Sequence, residues 1–237
     1  MRPRTGKGQG ARSWTLEALH DGDRADHAGH AEPVVADLRV CVVGDSFNAG
    51  VGDPYHLGWV GRVAARTQHL GLPLTAYSPG GAPPDQSGGH GSVAAGVPPR
   101  MPPGCDGRVV ASFGVNDTTV DEGTTQPRAS APDSGRHLAR FLLEVRGAGW
   151  PVLVVGPPPI PDPAQNERLA SLDAMFLSIC RDAGVGYARL FDQLSADPVW
   201  LRLVAEGDGA HPGARGYQQL ADVVWTWWLP WITAAKP

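Results

Sequence analysis

Ser46 follows a short apolar run, Leu38-Arg39-Val40-Cys41-Val42-Val43, that breaks abruptly into Gly44-Asp45-Ser46-Phe47-Asn48. The β-branched run predicts a buried strand, and the residues after it favour turns and helix N-caps. A serine at that break sits at the carboxyl end of a strand, where open α/β sheets hold their ligands. Its backbone N–H can also face a reacting oxygen. Ser46 is therefore a candidate nucleophile, although an ordinary N-cap explains the turn equally well when it is taken alone. A serine hydroxyl attacks poorly at neutral pH and needs a base to take its proton. His211, in Asp208-Gly209-Ala210-His211-Pro212, can do so with one ring nitrogen while the other donates to a carboxylate. Asp208 lies three residues earlier, so one turn can present both groups; helix capping is the plainer role for it. A second strand pattern, Val109-Val110-Ala111-Ser112-Phe113, runs into Gly114-Val115-Asn116-Asp117 and puts an amide donor at another strand end.

The elements that must position these residues are legible in outline. Apolar residues at Val60, Val63, Ala64 and Thr67 predict a helix over residues 57–70, followed by a short strand over 72–77. Residues 78–106 are dominated by Gly and Pro without periodicity, a long loop of the functional kind. A third strand spans 108–113. A helix over 134–147 carries Leu138, Phe141, Leu142 and Val145 on one face, and a continuously apolar fourth strand spans 152–155. After the proline run from Pro157 to Pro163, a helix is expected over 165–183, with Leu169, Leu172, Met175, Phe176 and Ile179 inward. A fifth strand follows over 187–190, with a helical turn at 201–204. The closing helix, 213–231, has Tyr217, Leu220, Ala221, Val224 and Trp228 inward, with Trp225, Trp227 and Trp231 widening the stripe. Strands alternating with helices imply parallel pairing, hence a three-layer α/β/α sandwich.

A chain of 237 residues with 42% hydrophobic content can bury a full core as one domain, expected over 38–233. Residues 1–37 are polar and aperiodic, the composition of a disordered segment; Asp21, Asp23, Asp26, His27 and His30 fit no metal-loop spacing. The net charge of −4 and the lack of a basic stripe argue against a nucleic-acid partner. No apolar run is long enough to span a membrane, and no apolar stretch backs the basic N-terminal residues, so a cytoplasmic location is expected. The three cysteines, Cys41, Cys105 and Cys180, have no short metal-ligand spacing, and the pattern makes Cys41 and Cys180 buried thiols.

Gly44-Asp45-Ser46, Gly114-Val115-Asn116-Asp117 and Asp208-Gly209-Ala210-His211-Pro212 together resemble the GDS, GxND and DxxHP blocks of the SGNH, or GDSL-type, hydrolase family, in the family's order. That resemblance implies a flavodoxin-like five-stranded parallel sheet of order 2-1-3-4-5, with the blocks meeting above its carboxyl edge. It implies a triad of Ser46, His211 and Asp208. It also implies an oxyanion hole from the Ser46 N–H, a glycine N–H after the second strand and the Asn116 amide. Gly81 is the preferred glycine and Gly80 the alternative, in a block that lacks the family's usual preceding Asn. Asp45 and Asp117 are expected to hold loops. The implied activity is a serine esterase acting on small or medium acyl esters, with no cofactor or metal. Acyl transfer or thioester cleavage through the same acyl-enzyme is the alternative, and a non-catalytic carbohydrate- or lipid-binding module a third.

Overall fold

The computed structural model describes residues 37–77, 97 and 101–235. The expectations for the first 36 residues and for Gly80 and Gly81 lie outside them. Five strands, β1 (Leu38–Gly44), β2 (Leu74–Tyr77), β3 (Asp106–Ser112), β4 (Val152–Val155) and β5 (Gly186–Ala188), form one sheet of order β2-β1-β3-β4-β5. Every adjacent pair is parallel, and the register sets Gly44 beside Ser112. Helices α1 (Gly58–His69), α2 (Ala131–Gly147), α3 (Pro163–Asp182), α4 (Phe191–Ser195), α5 (Pro198–Ala205) and α6 (Ala214–Thr233) flank it.

Side chains alternate across each strand, so one apolar run feeds two cores. Val40, Val42, Val110, Leu153 and Val155 join α1 and α6 on one face. Cys41, Val43, Val109, Val152 and Val154 join α2 and α3 on the other. The expected three-layer sandwich and its strand order are both present. Trp59, Trp200, Trp228 and Tyr217 are almost fully buried, each contributing on the order of 2 kcal/mol or more by burial. Cys41 and Cys180 are buried thiols.

Three local expectations are corrected. The helix expected from 165 begins at Pro163, because Asp162 accepts the Gln165 N–H as N-cap and proline is favoured at the first helical position. The turn expected at 201–204 is the eight-residue helix α5, capped by Asp197 and followed by the Asp208 loop, with α4 ahead of it. Trp227 is exposed, while Trp225 and Trp231 pack on the core as expected. The expected stripe was one residue too wide, since 100° per residue carries position 227 past the helix's inner face.

Candidate active site

The sheet's carboxyl edge is where the three motifs meet. β1 ends at Gly44, whose backbone passes so close to its neighbours that an added Cβ would stand 2.0 Å from the Ser112 carbonyl oxygen. Only glycine tolerates this approach, and it lets the chain turn sharply beneath Ser46. The turn is closed by the Asn48 and Ala49 N–H groups donating to the Asp45 carbonyl, and by the Phe47 N–H donating to Asp45 Oδ1. Asp45 thus ties the serine turn, as expected of it.

Ser46 Oγ lies 2.6 Å from His211 Nε2, across 165 residues of sequence. His211 Nδ1 lies 2.8 Å from Asp208 Oδ2. Asp208 Oδ1 also accepts the backbone N–H groups of Ala210 and His211, at 2.9 and 2.6 Å. These bonds assign Nδ1 as donor to Asp208 and leave Nε2 as acceptor for the Ser46 hydroxyl. Burial alone would raise the Asp208 carboxyl, but the His211 and Ala210 donors and the His211 charge outweigh it and hold it at about 2. Asp208 therefore stays ionised through the neutral range; the stability it lends is present above about pH 4 and lost as pH falls towards 2. The Phe47 ring sits 4.9 Å from the imidazole and walls its side.

Asn116 opens a 3-10 turn, Asn116–Thr118, reached from β3 through Gly114 at φ +126. It shares with Asp208, His211, Phe47, Ile160 and Gln165 the wall of a cleft of about 310 Å³. Because β1 and β3 are hydrogen-bonded neighbours, Ser46 and Asn116 extend from adjacent strand ends.

Several positioning residues carried no sequence signal. Gln165 Nε2 donates to the Val115 carbonyl at 2.9 Å and to the Thr118 and Thr119 hydroxyls at 3.1 and 3.2 Å. Arg168 Nε adds a bond to the Thr118 carbonyl at 2.9 Å, so α3 pins the turn carrying Asn116. Buried Asn48 donates to the Ser112 carbonyl and accepts from Trp59 Nε1, joining β1, β3 and α1. Buried Asp53 accepts from the Tyr55 and Gly58 N–H groups and pairs with Arg62. Burial would raise that carboxyl, but Arg62 and the two N–H donors hold it below the usual carboxylate range. The loop it braces brings Gly52 against His211 and Pro212. The Gln165, Arg168 and Asn48–Ser112 contacts span chain segments that only folding brings together, whereas Asp53 closes its loop with partners nearby in the chain.

Burial pushes the Asp45 carboxyl up to about 6; the Phe47 N–H and the His211 charge oppose this, and the nearby Asp117 charge adds to it. The folded chain thus holds a proton that the unfolded chain releases near 3.8, so stability falls as pH rises from about 4 to about 6. Asp45→Asn keeps the oxygen that accepts from Phe47 and removes the charge. Urea unfolding of this variant is expected to lack that decline and to gain at most roughly 3 kcal/mol at pH 7. An unchanged slope between pH 4 and 6 would rule out Asp45 as its source.

Among the described residues no group of three or more His, Cys, Asp or Glu could hold a metal ion, and no helix is long and apolar enough to cross a membrane.

No curated protein matches this chain in sequence. Solved structures match its fold. A lipase/acylhydrolase from Enterococcus faecalis superposes with a TM-score of 0.64 at 19% identity, covering 80% of this chain and 94% of that one. TesA superposes with a TM-score of 0.63 at 20% identity, covering 81% and 98%. The psychrotrophic esterase EstA from Pseudoalteromonas sp., in a structure inhibited by monoethylphosphonate, gives 0.61 at 15% identity, covering 84% and 100%. The model of the GDSL-like lipase/acylhydrolase family matches residues 42–219, a span that runs from the strand before Ser46 to beyond His211, and the chain belongs to that family of ester-directed hydrolases of the SGNH type.

Proposed function

We propose that this chain is a serine esterase that cleaves small or medium acyl esters through an acyl-enzyme on Ser46. The observation that carries this reading is the unbroken hydrogen-bonded series from Ser46 Oγ through His211 to Asp208. In the first half-reaction Ser46 Oγ gives its proton to His211 Nε2 and attacks the ester carbonyl carbon. The carbonyl oxygen, now negative, is met by the Ser46 N–H and the Asn116 amide, with Gly81 as the further donor implied by the motif resemblance. His211 then returns the proton to the leaving alcohol oxygen as the carbon–oxygen bond breaks. Water, activated by the same imidazole, releases the acid. Asp208 keeps the imidazole oriented and balances its charge throughout. A cleft of about 310 Å³ beside His211 supports small or medium substrates.

The direct test is intact-mass analysis after incubation with a panel of p-nitrophenyl esters and acyl thioesters, with peptide mapping after an organophosphonate. One acyl or phosphonyl group on Ser46 is expected, and labelling of another serine would overturn the assignment. The oxyanion reading has its own test. Asn116→Ala is expected to lower kcat by about 10²–10³, or ~2.7–4 kcal/mol, with little change in KM, because this donor acts on charge that develops only in the transition state. Asn116→Asp is expected to be at least as damaging. Near-normal kcat in Asn116→Ala would remove the amide from the oxyanion hole.

A further inference from the structure

Asn116 sits on a support that is weak by itself. Its turn, Asn116–Thr118, is a single 3-10 turn, a form whose hydrogen-bond geometry is poorer than that of an α-helix. The turn hangs from β3 through Gly114 at φ +126, a residue type with wide backbone freedom. Its own backbone closes it only loosely, with the Thr118 N–H 3.3 Å from the Val115 carbonyl and the Thr119 N–H 3.2 Å from the Asn116 carbonyl. Gln165 approaches from a firmer element. It is the third residue of α3, and its backbone N–H is tied to the N-cap Asp162 at 3.0 Å.

The Gln165 amide meets three oxygens of the turn: the Val115 carbonyl and the Thr118 and Thr119 hydroxyls. A carbonyl can only accept, so Nε2 is the end of the amide that faces it. Both hydroxyls donate to the same Val115 carbonyl, at 2.9 and 3.3 Å, which leaves their lone pairs for the Gln165 amide. Gln165 is 6% exposed and Thr118 5%, so water competes little for these bonds. The Val115 carbonyl belongs to the rigid peptide plane that ends at Asn116, and fixing its oxygen fixes the direction in which the Asn116 side chain leaves. An oxyanion donor acts only within about 2.7–3.1 Å of the charged oxygen, and a displacement of about 1 Å costs on the order of 10²-fold in rate. We propose that Gln165 is a positioning residue for the reaction: through Val115, Thr118 and Thr119 it holds the Asn116 amide where negative charge develops. This rests on the reading of Asn116 as an oxyanion donor.

The test is a double-mutant cycle on a p-nitrophenyl ester. Gln165→Met keeps the volume and deletes the donor, while the Val115 carbonyl still accepts from both threonine hydroxyls. The fold is expected to persist, with Tm lower by about 2–4 °C. kcat is expected to fall by about 10–10²-fold with KM within about twofold of the parent value. Gln165→Glu, of the same shape but only an acceptor at neutral pH, is expected to fall at least as far. In an Asn116→Ala background Gln165→Met is expected to change kcat by less than about twofold, since no donor remains to be placed. Near-parental kcat in Gln165→Met overturns the proposal, as does full activity in Gln165→Glu or an equal loss in both backgrounds. A change confined to KM, or loss of the folded state in Gln165→Met, overturns it too. The single variant Asn116→Ala separates the two failures. If it keeps near-normal kcat, the oxyanion reading falls and this proposal with it; if it is slow while Gln165→Met is fast, only the positioning role falls.

Discussion

Ser46→Ala is expected to lower kcat on any ester the enzyme accepts by about 10⁴–10⁶ while leaving the fold intact. The size follows from what the hydroxyl does: without Oγ no acyl-enzyme forms, and only substrate binding and oxyanion donors remain to assist water. The backbone N–H of residue 46 survives the substitution, as do the Asn48 and Asp45 bonds that shape the turn. Thermal unfolding close to that of the parent enzyme, together with loss of phosphonate labelling, is the expected pattern. A variant that kept even a tenth of the parent kcat would remove Ser46 from the role of nucleophile.

His211→Gln is expected to cost a similar factor, about 10⁴–10⁶ in kcat, because Ser46 then has no acceptor for its proton. Asp208 cannot substitute, since its Oδ2 is directed to the far ring nitrogen and its oxygens are engaged by Ala210 and His211. The double variant Ser46→Ala with His211→Gln is expected to be no slower than either single one, since the pair acts as a unit. Additive losses would mean that the two act in separate steps. A full-rate His211→Gln variant sensitive to EDTA would indicate metal chemistry in place of a serine mechanism.

Much of this arrangement is written in local sequence, for identifiable physical reasons. Strand character follows from runs such as Val40-Cys41-Val42-Val43 and Val152-Leu153-Val154-Val155, whose continuous apolar content suits a sheet covered on both faces. Helix faces follow from 3.6-residue spacing, which correctly set Leu138, Phe141, Leu142 and Val145 of α2 inward. The Asp208–His211 pair is legible because three residues of one turn suffice to bring carboxylate and imidazole together, and the 2.8 Å contact shows that they do. Gly44 is legible as a turn residue, though the Ser112 carbonyl that makes it obligatory belongs to another strand.

What only the tertiary structure decided is every relation between segments distant in the chain. Ser46 and His211 meet because β1 lies inside the sheet, between β2 and β3, and the Asp208 loop arrives over its carboxyl edge; nothing in either segment encodes the 2.6 Å between them. Gln165 and Asn48 look like ordinary surface polars in sequence, yet each is buried and braces a loop at the site, because their partners on other elements are set by packing. Trp227 faces solvent although Trp225, Trp228 and Trp231 pack inward, a matter of helix phase against a particular core. Local sequence therefore determined which elements form and which side chains are chemically able to act. The packing of α1, α3 and α6 on the sheet determined which of them meet.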